Sequence, residues 1–439
     1  MKSRIFFLLL TALIVLSACT ANVNLPSSQN QSPLPTSQSQ TPSSMPTLEV
    51  SPSPSPAPFV APTSPQPMRG LTPGEIVSEI KIGTNYANAL EYYDFDYQEG
   101  YIDYGTNGQD KIDYIFRERS QGWIYPTKEL IHALKEAGYD AVRLPISLTC
   151  FINEDFDIDE AKLDQIELVV NYILADNMYC IIDPHYDYLN KSWVGDKWEP
   201  LWMDDQYADY VWARYEAIWR QLAERFKNYG DKLLFEAANE PASDCVIFHE
   251  TYGDDADFDA YVIRNVNKMN EIFVRTVRET GGNNSERTLV MALPQTEQSY
   301  FINQMSFPED DNIIVTVHYY FHYEDWAPVT QWSSNNESDT APIDAMFAYV
   351  RDFKQNNDIP VIMGEWGSTE FLTIDERIDQ AQYILAQAKA LGVPCFWWEF
   401  GWNDWEEGTD NCFGLYDRVN MEWHWPQLVE ACMEIAKGE

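Results

Sequence analysis

Tyr179-Cys180-Ile181-Ile182-Asp183, a long stretch of helical period from Gln206 to Asn228, then Leu233-Leu234-Phe235-Glu236-Ala237-Ala238: this part of the chain decides the fold. The two apolar runs are strand-length, and the segment between them repeats its apolar residues at helical spacing, so the unit reads as strand, crossover helix, strand. The same alternation continues in both directions. Upstream the strand candidates are Glu79–Gly83 and Ala141–Ser147; downstream they are Thr288–Ala292, Ile313–Tyr319, Val361–Gly364 and Cys395–Glu399. Helix candidates lie between them at Thr127–Glu136, Asp159–Ala175, Asp257–Glu279, Ile343–Lys354 and Ile374–Ala390, with a last one at Pro426–Lys437 and only a helical turn near Tyr300–Gln304. Eight alternating units predict a closed (β/α)8 barrel rather than an open doubly wound sheet, in one catalytic domain from residue 70 to residue 439. Such a length suits a single α/β barrel with insertions.

A different chemistry precedes it. Met1-Lys2-Ser3-Arg4 and the apolar run Ile5–Leu16 form a signal-peptide pattern too short to span a bilayer, closing on Leu16-Ser17-Ala18-Cys19. That ending resembles a bacterial lipobox, which implies a signal peptide over 1–18, acylation of Cys19, and a cell-envelope lipoprotein on the extracellular face. From Thr20 to about Met68 the chain is Pro, Ser, Thr, Gln and Asn with hardly a charge, and a tether is expected over 19–69. The net charge of −40 argues against nucleic acid and anionic lipid as ligands, leaving the anchor as the membrane contact. Beyond Cys19, the cysteines Cys150, Cys180, Cys245, Cys395, Cys412 and Cys432 are scattered without metal-ligand spacing. Cys180 and Cys395 read as core thiols, and pairing of the others is left open.

In a parallel barrel the loops after the strands converge on one mouth, so chemistry is expected there. Polar and aromatic residues collect at those ends: Asn85, Asn88 and Glu91; Arg143; His185; Asn239 and Glu240; His318 and Tyr320; Glu365; Trp398 and Glu399. Glycoside hydrolysis needs two carboxyl groups flanking the scissile bond. Glu240, closing Phe235-Glu236-Ala237-Ala238-Asn239-Glu240-Pro241, and Glu365, closing Pro360-Val361-Ile362-Met363-Gly364-Glu365-Trp366, are the two best placed. His318 and His322 do not make a metal pair, having no carboxylate at ligand spacing, and Asp254, Asp255, Asp257 and Asp259 lack the glycine and distal glutamate of a calcium loop. No metal and no cofactor is expected. Trp193, Trp198, Trp202, Trp326, Trp332, Trp366, Trp402 and Trp405 fall largely in loops, where stacking on sugar and packing are both open.

Taken in order, Val142-Arg143-Leu144-Pro145, Asn239-Glu240-Pro241, His318-Tyr319-Tyr320 and Gly364-Glu365 make residues 79–435 resemble glycoside hydrolase family 5, the cellulase-type endoglucanases. Ile218–Phe226, Gly281-Gly282-Asn283-Asn284, Trp397-Trp398-Glu399 and Phe413–Arg418 add to the likeness. The resemblance implies a retaining, endo-acting enzyme on β-1,4-glucan, with mannan, xyloglucan and mixed-linkage glucan as the substrates next in line. It implies Glu240 as acid/base and Glu365 as nucleophile, about 5 Å apart. Arg143 would keep Glu365 ionised, Tyr320 would donate to it, Asn239 would bind the sugar 2-hydroxyl, His185 and His318 would bracket that sugar, Trp398 would be its floor, and Asn85 joins them in binding substrate. Three positions depart from the family pattern: Ala87 where glycine is usual, one histidine in Asp183-Pro184-His185-Tyr186-Asp187 where two adjacent ones are usual, and Ser147-Leu148-Thr149 in place of an aromatic. A monomer acting on a polysaccharide is expected. The rival from another class is a lipoprotein that only binds glycans, which would have no use for two carboxylates beside an arginine.

Overall fold

The computed structural model describes residues 62–439, apart from residue 88 and segments 92–125, 149–150, 186–191, 195–196, 200–207, 242–248, 250–251, 256, 295–298, 321–322, 325–326, 402–412 and 439. Cys19, the signal-peptide and most tether residues, Asn88, Cys150, Cys245, Cys412, His322, Trp202, Trp326, Trp402 and Trp405 therefore lie outside the described residues. Eight parallel strands close into a barrel: β1 Ile82–Asn85, β2 Ala141–Ile146, β3 Tyr179–Pro184, β4 Leu233–Glu236, β5 Leu289–Met291, β6 Ile313–Tyr320, β7 Val361–Gly367 and β8 Cys395–Trp397. Each pairs with its sequence neighbours, and β1 closes the ring by pairing both β2 and β8. This is the (β/α)8 barrel that the alternation predicts.

The helices are α1 Pro73–Glu79, α2 Lys128–Ala137, α3 Glu160–Ala175, α4 Ala208–Phe226, α5 Phe258–Glu279, α6 Glu337–Asn356, α7 Ile374–Leu391 and α8 Pro426–Lys437. Residues at alternate strand positions, such as Val142, Ile182, Phe235, Met291, Val317 and Met363, join the helices' buried faces in one apolar shell. Residues on the other strand face fill the barrel. Near its N-terminal end these are Ala141, Ile181, Leu234, Val290, Ile314, Ile362 and Phe396, capped by Ile76, Val77 and Ile80 of the α1 region. Gly83 belongs to this packing, because a Cβ there would lie 2.3 Å from the Phe396 ring. Burying each such large apolar side chain contributes roughly 1.5–3 kcal/mol, so this layer is where the barrel gains much of its stability.

Two boundaries differ from the sequence reading for local reasons. The strand expected from Glu79 starts at Ile82, because Glu79 ends α1, a helix of 7 residues that is too short to show a period. Its start is nevertheless written in the sequence: Thr72 and Glu75 cap each other across Pro73, the first helical residue. The helix expected from Ile343 begins at Glu337, since the structure carries it through Pro342 from an N-cap at Asn336. Residues 62–69, expected as tether, hydrogen-bond to the barrel base: Gln66 N–H donates to Asn228 O at 2.8 Å, and Arg69 pairs with Asp231 at 2.7 Å. Trp332 and Trp366 pack rather than line a cleft, at 2% and 1% exposure. Asp257 is the N-cap of α5. Among the described residues no helix is long and apolar enough to cross a membrane.

Candidate active site

Above the apolar layer the inward positions turn polar. Asn85, Arg143, Asp183 and Glu236, all fully buried, come from β1, β2, β3 and β4. Arg143 is their hub. It forks onto Glu236, with Nε donating to Oε2 and Nη2 to Oε1, both at 2.8 Å. Nη2 also meets Asp183 Oδ2 at 2.9 Å, and Nη1 reaches Glu365 Oε1 at 2.7 Å. Burial alone would lower its pKa, but the three carboxylates outweigh that and hold it well above the ordinary arginine value. Burial also pushes Glu236 up to about 7 against the pull of Arg143.

Glu365 owes its inward aim to a bulge. β7 pairs Met363 with Val317 but Glu365 with His318, so Gly364 is an extra residue and the side-chain alternation shifts. Gly364 is obligatory: a Cβ would lie 2.4 Å from Thr316 Oγ1 and 3.0 Å from His318 Nε2. The expected strand end at Gly364 is therefore a bulge, and the strand continues to Gly367. Both Glu365 oxygens take a donor, Oε1 from Arg143 and Oε2 from the Tyr320 hydroxyl at 2.7 Å.

Glu240 stands across from it, its side chain about a third exposed into the mouth. Its carboxyl, His318 Nδ1 and the Glu365 carboxyl offer atoms all within 4.8 Å of one another. Desolvation raises the Glu240 pKa, opposed by His185 and Arg143. Glu240 Oε1 lies 2.7 Å from His318 Nδ1. Burial drives the His318 pKa down to about 3, so the ring is neutral, and its Nε2 has no partner among the described residues. A buried orphan N–H is the costlier of the two tautomers, so the proton belongs on Nδ1, donating to Glu240 Oε1. The second oxygen of Glu240 is then the one to carry a transferable proton.

All the site residues proposed from sequence among the described ones meet here, and Asn85, His185 and His318 among them are buried, His318 through its Nδ1 contact with Glu240. Asn85 is fully buried, its oxygen accepting from Arg143 at 3.0 Å and its amide donating to Gly364 O at 2.9 Å, so it braces the site instead of reaching a sugar. His185 is 4% exposed, stacked on the half-buried Trp398 with ring centroids 5.3 Å apart. Asp183 and Glu236 were missed. The signal was a charged residue inside an apolar strand, two positions beyond Ile181 and Leu234 on the same face. Arg418, the last residue of the Phe413–Arg418 stretch, is buried, pairs with Glu399 at 2.9 Å and donates to Ala87 O at 2.7 Å, tying the first strand's loop to the last.

The description of the cellulases of glycosyl hydrolase family 5 matches residues 106–404. The chain belongs to glycosyl hydrolase family 5. Among curated family relatives, endoglucanase B of Ruminococcus albus is 31% identical over 72% of this chain and 73% of its own, and endoglucanase A of the same organism is 29% identical over 84% and 94%. Among solved structures, a broad specificity endoglucanase from Clostridium cellulovorans superposes with a TM-score of 0.69 at 27% identity, covering 85% of this chain and 99% of that one. A Caldicellulosiruptor family 5 lichenase in complex with cellotetraose gives 0.68 at 27% identity, covering 87% and 100%. This family 5 chain is thus an enzyme, a glycoside hydrolase of the endoglucanase type.

Proposed function

We propose that the enzyme is a retaining endo-β-1,4-glucanase in which Glu365 is the nucleophile and Glu240 the acid/base. The observation that carries this reading is the spacing: the carboxyl oxygens of Glu240 and Glu365 lie within 4.8 Å, whereas inverting pairs stand roughly 6.5–9.5 Å apart to admit a water. Environment supports the division of roles. Glu365 is fixed by donors on both oxygens, from Arg143 and Tyr320, while Glu240 has its pKa raised by desolvation and keeps a proton to give.

In the first step a Glu365 oxygen bonds to carbon 1, the bond from carbon 1 to the glycosidic oxygen breaks, and its electron pair takes the proton from Glu240. In the second step Glu240 removes a proton from water, the water oxygen bonds to carbon 1, and Glu365 departs with its electron pair. Two inversions leave the β-configuration. Proton NMR of the first product from a soluble β-1,4-glucan tests it: nascent β-anomer is expected, and nascent α-anomer would refute the double displacement. Mixed-linkage glucan is the second substrate to assay, because a lichenase is among the structures this chain resembles.

The N-terminal sequence supports a lipoprotein anchored through Cys19 on the outer face of the cell envelope. Cys19→Ala should move the protein out of the membrane fraction, and a variant still wholly in detergent-extracted membranes would refute the anchor.

A further inference from the structure

Four buried side chains close a ring of three hydrogen bonds and one ion pair beside the proposed catalytic pair, with Arg143 Nη2 also donating to Glu236. Arg143 Nη2 lies 2.9 Å from both Asn239 Oδ1 and Asp183 Oδ2; His185 Nδ1 lies 2.7 Å from Asp183 Oδ2; and Asn239 Nδ2 lies 3.2 Å from His185 Nε2. The donors and acceptors permit one solution. A guanidinium only donates, so Asn239 must turn its oxygen to Arg143, which leaves its nitrogen facing His185. An amide nitrogen only donates, so His185 Nε2 must be a bare lone pair. The single proton of the neutral ring therefore sits on Nδ1, where Asp183 accepts it. Arg143 and Asp183 are fully buried, and His185 and Asn239 are 4% and 6% exposed, so water is a poor substitute for any member. Burial lowers the pKa of His185, in keeping with the neutral ring.

We infer that Asp183 and His185 are positioning residues that lock the Asn239 amide, nitrogen outward from Arg143, so that it meets the sugar 2-hydroxyl as a donor. This rests on the proposed function, in which Asn239 binds the 2-hydroxyl of the sugar being cleaved. Both ring nitrogens of His185 then serve this network, and its face serves Trp398. The amide carries two hydrogens, one for His185 and one for the sugar. A flipped amide would set two donors against each other at Arg143, so the lock also opposes the one error an asparagine can make.

The test compares kcat/KM on an aryl β-cellobioside and on its counterpart lacking the 2-hydroxyl of the ring next to the aryl group. In wild type, losing that hydroxyl should lower the rate. His185→Phe keeps a flat ring on Trp398 but removes the acceptor; it should lower the parent substrate by about 10- to 100-fold and the deoxy substrate by no more than about 3-fold, as coupling between neighbouring groups predicts. His185→Gln, which returns an oxygen near the Nε2 position, should recover part of the loss. An equal loss on both substrates overturns the inference and leaves the proposed function standing. A wild type indifferent to the 2-hydroxyl removes the assigned role of Asn239, and the inference with it. The ¹⁵N–¹H spectrum of histidine-labelled protein is an independent readout: the resonances lost in His185→Phe should be those of a neutral Nδ1–H ring, and an Nε2–H ring there overturns the lock irrespective of activity.

Discussion

Two layers of the same barrel, one strand repeat of about 6.6 Å apart, are made of opposite chemistry. At the base stand Ala141, Ile181, Leu234, Ile314 and Ile362; two residues further along the same strands stand Arg143, Asp183, Glu236, Thr316 and Gly364. The base layer is dry and apolar and stabilises by burial. The upper layer puts one cation among three carboxylates at almost no exposure, an arrangement whose desolvation typically offsets its attraction. The contrast teaches that the base holds the fold while the mouth holds a geometry that the base makes possible. Mutations in the two layers should therefore separate, stability from one and chemistry from the other.

The strongest way to break that separation is Glu365→Ala. Turnover should fall by on the order of 10⁴-fold or more, as for nucleophiles that act within a unit, while the calorimetric midpoint moves by only a few degrees. Unfolding of the variant would mean that the mouth also holds the fold. Glu240→Gln comes next, with a loss of about 10²- to 10⁴-fold on polysaccharide. Because burial raises the Glu240 pKa, its acid form persists above the ordinary glutamate range, and wild-type kcat/KM should decline only as pH rises through that raised value. On an activated aryl glycoside the variant should lack this alkaline limb, and a limb that survives belongs to another group.

From the other side, Ile314→Ala should cost about 2–5 kcal/mol in urea denaturation, with kcat of the folded fraction nearly unchanged. A comparable drop in kcat would show that the layers are coupled. Gly364→Ala sharpens the comparison because it sits at the seam. Its methyl would press on Thr316 and His318, so it should cost roughly 1–3 kcal/mol and also lower kcat by turning Glu365, measurable on one sample by denaturation and single-turnover kinetics.

Alternation favours the barrel, because each strand is an apolar run bounded by polar loops and each helix repeats at its own period, and the ordered motifs at the strand ends add to that reading. The mouth was legible where a motif ends a strand, as at Asn239-Glu240-Pro241. It was not legible where function depends on a broken period. Nothing in Val361–Glu365 says that Gly364 is an extra residue, since a bulge is visible only against its partner strand. Asp183 and Glu236 escaped for a related reason: their partner, Arg143, is 40 and 93 residues away, and no local pattern announces a pair that only closure of the barrel creates. Asn85 is legible as belonging to the site but not in its bracing task, because whether a polar side chain faces substrate or scaffold depends on the direction of its hydrogen bonds.

The segment 62–69 ties into the loops ahead of β4 and β5, through Gln66 on Asn228, Gly230 and Asn283, and Arg69 on Asp231. The polypeptide thus enters the barrel at the pole opposite the cleft. For anyone fixing this enzyme to a bead, an electrode or a scaffold protein, the handle is already on the correct side: an attachment upstream of residue 62 should leave the cleft pointing away from the support, where a long insoluble chain can reach it. A C-terminal handle would sit on the same side, because α8 ends beside Lys389 near the same base.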